Sequence, residues 1–78
     1  QLSPNHLQIL GFTESVQSLF NELAISTNIQ VYFTSDPNIG AFNPNVELQL
    51  YRVMQELIQN IIKHSHATEV KCQMMIEN

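Results

Sequence analysis

Glu56, Asn60, Lys63 and His64 are the residues of this chain whose types and spacing could do chemistry together. At about 100° per residue, Glu56, Asn60 and Lys63 fall within a narrow arc of a helix, with His64 at its margin. The polar side of an amphipathic helix is by default only solvated, but two features argue for more here. Asn in a helix interior is up to about 0.7 kcal/mol worse than Ala, so Asn60 needs a use for its amide, whose oxygen is a hard ligand suited to Mg²⁺. A carboxylate one turn before it and an ammonium one turn after it then set an acid, a metal ligand and a phosphate-pairing cation in one row. That row suits a metal-bound polyphosphate.

His64, His66 and Cys72 offer a second combination, a zinc site. Helical positions two apart diverge by about 200°, which is poor for shared ligation unless the helix has ended, and zinc is given little weight. Cys72 reads as an apolar strand residue, and Met54, Met74 and Met75 as residues that fill gaps in a core or at its edge. His6 falls near a helix start with no evident chemical partner, and a structural role is expected for it.

The elements that must position the row follow from hydrophobic spacing. Ser3 before Pro4 is a helix-start signal, and a short helix to about Leu10 is expected before Gly11 breaks it. Phe12, Val16, Leu19, Phe20 and Leu23 then share one helical face, predicting a helix from Thr13 to about Ser26, closed by Asn28. Ile29, Val31 and Phe33 alternate with Gln30, Tyr32 and Thr34, the period of a half-buried strand. Pro, Gly, Asn and Asp crowd residues 35–45, predicting a loop. Asn45 is the expected cap of a long helix from about Val46 to His66, whose apolar stripe is Leu50, Met54, Leu57, Ile58, Ile61 and Ile62. Val70, Cys72, Met74 and Ile76 alternate with Glu69, Lys71, Gln73 and Met75 in a second strand. The order is helix, helix, strand, helix, strand, an α/β (α+β) chain with a sheet too small to be complete.

Composition bounds the function. Seventy-eight residues make one small domain at most, and such a chain buries only about 60% of the surface its unfolded form exposes. A net charge of −4 opposes binding to nucleic acid or to an anionic membrane surface. The single Cys72 cannot form an internal disulfide, and no run approaches the roughly 20 apolar residues needed to span a bilayer, so a cytoplasmic location without direct membrane contact is expected. The Gln1 start, with no initiator Met and no signal-peptide profile, reads as a piece of a longer protein.

The string Tyr51-Arg52-Val53-Met54-Gln55-Glu56 leading through Asn60 to Lys63-His64-Ser65 is similar to the N box of sensor histidine kinases, of the form Tyr-Arg-x-x-Gln-Glu-x-x-x-Asn-x-x-Lys-His-Ser/Ala. It looks most like the subfamily that signals to regulators with helix-turn-helix output domains. Leu2-Ser3-Pro4, Leu7, Leu10-Gly11-Phe12 and the approach to Ile29-Gln30-Val31 resemble the entry into that subfamily's ATP-binding domain. The resemblance covers almost the whole chain. It implies part of a two-layer sandwich of the Bergerat (GHKL) type, with residues 1–27 as entry helices and 28–78 as strand, N-box helix and strand.

On that resemblance Asn60 matches the Mg²⁺ ligand, Lys63 a phosphate-contacting base, His64 a neighbouring nucleotide contact and Glu56 the N-box acid. In related ATPases that acid polarises an attacking water. In kinases the nucleophile is a histidine of another domain, so Glu56 is expected to position Asn60 or the metal's water shell. The implied cofactors are ATP and Mg²⁺, and the implied partners a dimerisation and phosphoacceptor domain and a response regulator.

The chain also departs from that family. An Asp-x-Gly-x-Gly motif and a Gly-rich phosphate loop are missing, Gly11 and Gly40 being the only glycines, and His6 is followed by Leu7 rather than by the acid that follows a phosphoacceptor. The 78 residues alone are therefore expected to be catalytically inactive and to bind ATP at millimolar strength or weaker. Two alternatives stand beside the kinase reading. One is a noncatalytic interaction module that forms a homodimer through an open sheet edge or an exchanged element. The other is a GHKL-type ATPase with no kinase partner.

Overall fold

The computed structural model describes residues 4–40, 42–64 and 66–76. Helix α1 (Pro4–Leu10) and helix α2 (Phe12–Ser26) precede strand β1 (Gln30–Ser35), helix α3 (Pro44–His64) and strand β2 (Glu69–Met74). This is the element order expected, a small α+β unit with an incomplete sheet. The expected cap Ser3 lies outside the described residues.

Gly11 separates the first two helices with a φ of +87°, a conformation that a side chain disfavours. Its amide donates to the carbonyl of Leu7 and its own carbonyl accepts from the amide of Ser15, each at 3.0 Å, so one residue ends α1 and begins α2. At the other end of α2, Thr27 rather than Asn28 makes the closure. The Thr27 hydroxyl donates to the carbonyl of Leu23 at 2.7 Å and accepts from the amide of Ile29 at 3.1 Å, which turns the chain into β1.

Helix α3 starts at Pro44 and ends at His64, two residues earlier at each end than its apolar pattern suggested. The cap is Asn43, not Asn45: the Asn43 Oδ1 accepts from the amide of Asn45 at 2.8 Å. Pro44 then occupies the first helical position, where its missing N–H costs nothing. The Glu47 carboxylate reaches back to the amide of Phe42 at 2.9 Å and fixes the chain's entry. Earlier in the same loop, the Asp36 side chain accepts from the amide of Asn38 at 2.8 Å, a local turn that Asp favours.

The two strands run parallel, Gln30 in register with Glu69 and Ser35 with Met74, a direction that hydrophobic spacing leaves open. Parallel neighbours need a crossover, and the loop and α3 provide it. Ile29, Val31, Phe33, Val70, Cys72 and Met74 pack against the core as the alternation predicts, but β2 ends at Met74, and Ile76, expected on the inward face, is exposed. The core itself is Leu7, Phe12, Val16, Leu19, Phe20, Leu23, Tyr51 and Ile58. Phe20 and Phe33 join α2 to the sheet with ring centres 5.8 Å apart.

The stripe expected on α3 is only partly buried. Ile58 is in the core and Met54 packs against it, but Leu50, Leu57 and Ile62 are exposed, and Tyr51 takes the central place. Described neighbours cover α3 from the side of α2 and α1, which centres its buried face on Tyr51 and Ile58.

Candidate functional site

An unbroken helix from Pro44 to His64 carries Glu56, Asn60, Lys63 and His64. All four side chains are exposed. No side-chain hydrogen bond or ion pair holds any of them among the described residues, so their polar atoms are available to an outside ligand. Lys63 and His64 stand in the last turn, where the negative end of the helix dipole favours a cation.

Glu56 differs from the other three in its surroundings. With Arg52, Gln55 and Gln59 it lines one wall of a groove of about 420 Å³ whose other wall is Leu19, Glu22, Leu23 and Ser26 of α2. Asn60, Lys63 and His64 are not part of that groove. The acid therefore lies on the border between the α2–α3 groove and the open face of the helix.

Hard oxygen donors at an open surface fit Mg²⁺, which keeps several waters and takes one or two protein oxygens together with substrate phosphates. The Asn60 amide oxygen and the Glu56 carboxylate are such donors on adjacent turns. Lys63 adds a point charge for phosphate, and among the described residues no side chain pairs with it. Backbone cradling of phosphate is another matter, since Gly11 lies between two helices and Gly40 in the loop before α3, neither on the exposed row.

Cys72 faces inward on β2, half-buried, and desolvation pushes its thiol up from the ordinary range, which keeps it protonated and a poor nucleophile. His66 is exposed beyond the end of α3. Among the described residues no three His, Cys, Asp or Glu side chains come together to hold a metal ion. Nor, among them, is any helix long and apolar enough to cross a membrane.

Hydrophobic spacing missed two features beside the row. Val46, Leu50, Val53 and Leu57 form an exposed apolar stripe along α3, Val53 being 59% exposed. The stripe leads into an apolar cleft of about 610 Å³ walled by Phe12, Phe42, Leu50, Val53, Met54 and the segment Met74 to Ile76. The i, i+4, i+7, i+11 spacing of the stripe is legible in the sequence, but nothing in it distinguishes a covered stripe from an open one. The second missed feature is Tyr51, 2% exposed, whose hydroxyl has no hydrogen-bond partner among the described residues. Burial first, and the Glu22 carboxylate second, push the Tyr51 phenol up from its ordinary pKa.

No family model matches the chain, and no solved structure matches it.

Proposed function

We propose that this chain supplies the N-box wall of the ATP-binding domain of a sensor histidine kinase. In that reading the whole protein is a phosphotransferase that uses Mg-ATP to phosphorylate a histidine on its dimerisation domain and then passes the phosphoryl group to a response regulator. The observation that carries the reading is the row of Glu56, Asn60, Lys63 and His64, exposed and without competing partners among the described residues, on the helix that connects two parallel strands.

The residues have distinct roles. Asn60 holds Mg²⁺ through its amide oxygen, Lys63 pairs with phosphate oxygens, and His64 adds a nucleotide contact at the helix end. Glu56 orients the Asn60 amide or accepts hydrogen bonds from the metal's waters. When bound, Mg²⁺ neutralises charge on the phosphates. With the adenine-reading motif and the phosphate loop missing from these residues, most nucleotide contacts are lost, each charge-assisted one worth about 1.5–3 kcal/mol.

Amide chemical shifts recorded during a titration with Mg-ATP test the reading. Saturable changes at millimolar nucleotide are expected, centred on residues 56–64, dependent on Mg²⁺ and lost in Asn60→Ala. Changes that ignore Asn60, or none up to about 20 mM, the weak end of affinities this contact set can give, would refute it. Micromolar affinity by calorimetry would also count against it, since the contacts present cannot supply it.

A further inference from the structure

The sheet contains two strands among the described residues, and their hydrogen-bond phase decides what each outer edge offers. The Gln30 amide donates to the Thr68 carbonyl at 2.9 Å and the Asp36 amide to the Met74 carbonyl at 2.8 Å. With Gln30 opposite Glu69, this phase turns the main-chain groups of Gln30, Tyr32 and Thr34 toward β2. Those of Val31, Phe33 and Ser35 therefore point away from it. Three residues in a row of alternates present both an N–H and a C=O along the outer edge of β1.

The two edges are guarded differently. Natural sheets blunt exposed edges with charges, Pro, bulges or very short strands. β2 carries Glu69 and Lys71, paired at 3.5 Å, on its exposed face. β1 reads Gln-Val-Tyr-Phe-Thr-Ser, with no Asp, Glu, Lys or Arg, no Pro and no Gly, and with β-branched and aromatic residues at its centre. In a chain of net charge −4, this edge is a line along which a second copy can approach without carboxylates meeting across the seam.

We infer that the outer edge of β1 pairs with β1 of a second copy, antiparallel about a two-fold axis at Phe33. In that register Val31 opposes Ser35 of the other strand and Phe33 opposes its own counterpart, so each outward N–H meets an outward C=O. Tyr32 then lies across from Thr34 on the exposed face, an aromatic and β-branched pair that favours sheet pairing. The seam is isologous and closed, giving a dimer with a four-stranded sheet rather than a fibre. This pairing is independent of the nucleotide row, which lies on α3.

The experiment combines sedimentation of the 78-residue chain from about 10 µM to about 1 mM, a range suited to weak self-association, with amide hydrogen exchange at both ends of that range. The expected result is a shift from monomer to dimer, with exchange at Val31, Phe33 and Ser35 slowed roughly tenfold or more in the dimer. Ser35→Pro removes one outward N–H and leaves the ladder to β2 intact, so it should weaken dimerisation. Tyr32→Glu should do the same by placing carboxylates at the seam, and Gln73→Lys on β2 should not. Circular dichroism checks that each variant folds, and the exchange pattern of the unmodified chain decides the question alone if a variant does not. A monomer throughout would overturn the inference. So would a dimer in which these three amides still exchange fast, as expected if the exposed stripe of α3 or an exchanged element forms the interface.

Discussion

Helices α2 and α3 were both expected to bury an apolar stripe, and only α2 does so in full. Phe12, Val16, Leu19, Phe20 and Leu23 are all buried, because α1, α3 and β1 pack around α2. Helix α3 rests on α2 and α1 along one side, and the stripe from Val46 to Leu57 remains exposed. An apolar period therefore tells which residues of a helix want cover, whereas the neighbours actually present determine how many obtain it. The candidate chemistry lies on the helix that is less covered.

Substitutions should separate the two helices clearly. Phe20→Ala, at a position 2% exposed and against Phe33, should cost about 3–5 kcal/mol, enough to unfold a domain with so thin a margin, as urea denaturation would show. Tyr51→Ala should cost a similar amount, but Tyr51→Phe should be neutral or stabilising by up to about 1 kcal/mol, because it removes a buried hydroxyl with no partner among the described residues while keeping the ring. A clear loss in Tyr51→Phe would show that the hydroxyl does bond something when the protein is folded.

The same hydroxyl gives a pH dependence. Its folded-state pKa is raised, so its contribution to stability is complete below the unfolded value near 10 and is lost as pH rises through the folded value. Stability should therefore decline above about pH 10, and Tyr51→Phe should flatten that decline in melts recorded across the alkaline range. The raised thiol of Cys72 acts in the same direction, beginning above its own ordinary pKa near 8.5, and Cys72→Ala isolates its share.

On the exposed side of α3 the effects should be small. Leu57→Ala, at a position 47% exposed, should change stability by less than about 1 kcal/mol unless a partner covers the stripe. Asn60→Ala should leave folding unchanged or raise helix stability by up to about 0.7 kcal/mol while removing the Mg-ATP response. A large loss of stability in Asn60→Ala would turn its amide from a ligand into a structural group.

The sequence made much of this legible. Element order, the face of α2 and the inward residues of both strands up to Met74 follow from periods of 3.6 and 2, because each is a local consequence of burying one side of a regular backbone, whereas Ile76 lies past the end of β2 and is exposed. The row on α3 is legible for the same reason, since a continuous helix fixes the phase of Glu56, Asn60, Lys63 and His64. The relative direction of β1 and β2 was not, because hydrophobic alternation looks the same in either direction. The cap of α3 went to Asn43 because Pro44 fits the first helical position, so the residue before the Pro becomes the cap. Tyr51 in the core, and Leu50, Leu57 and Ile62 outside it, depend on which flank α2 covers, and that is a tertiary fact no window of residues contains.

The parallel register also has a consequence for the timing of folding. Gln30 and Glu69 are 39 positions apart (69 − 30), so no ladder bond can form until both the loop and α3 have been made. On a ribosome adding about 5–20 residues per second, β1 waits about 2–8 s for its partner to be synthesised. Through that interval an uncharged hexapeptide of high strand propensity lacks its β2 partner, and among the described elements α1 and α2 are the ones already made that can shelter it.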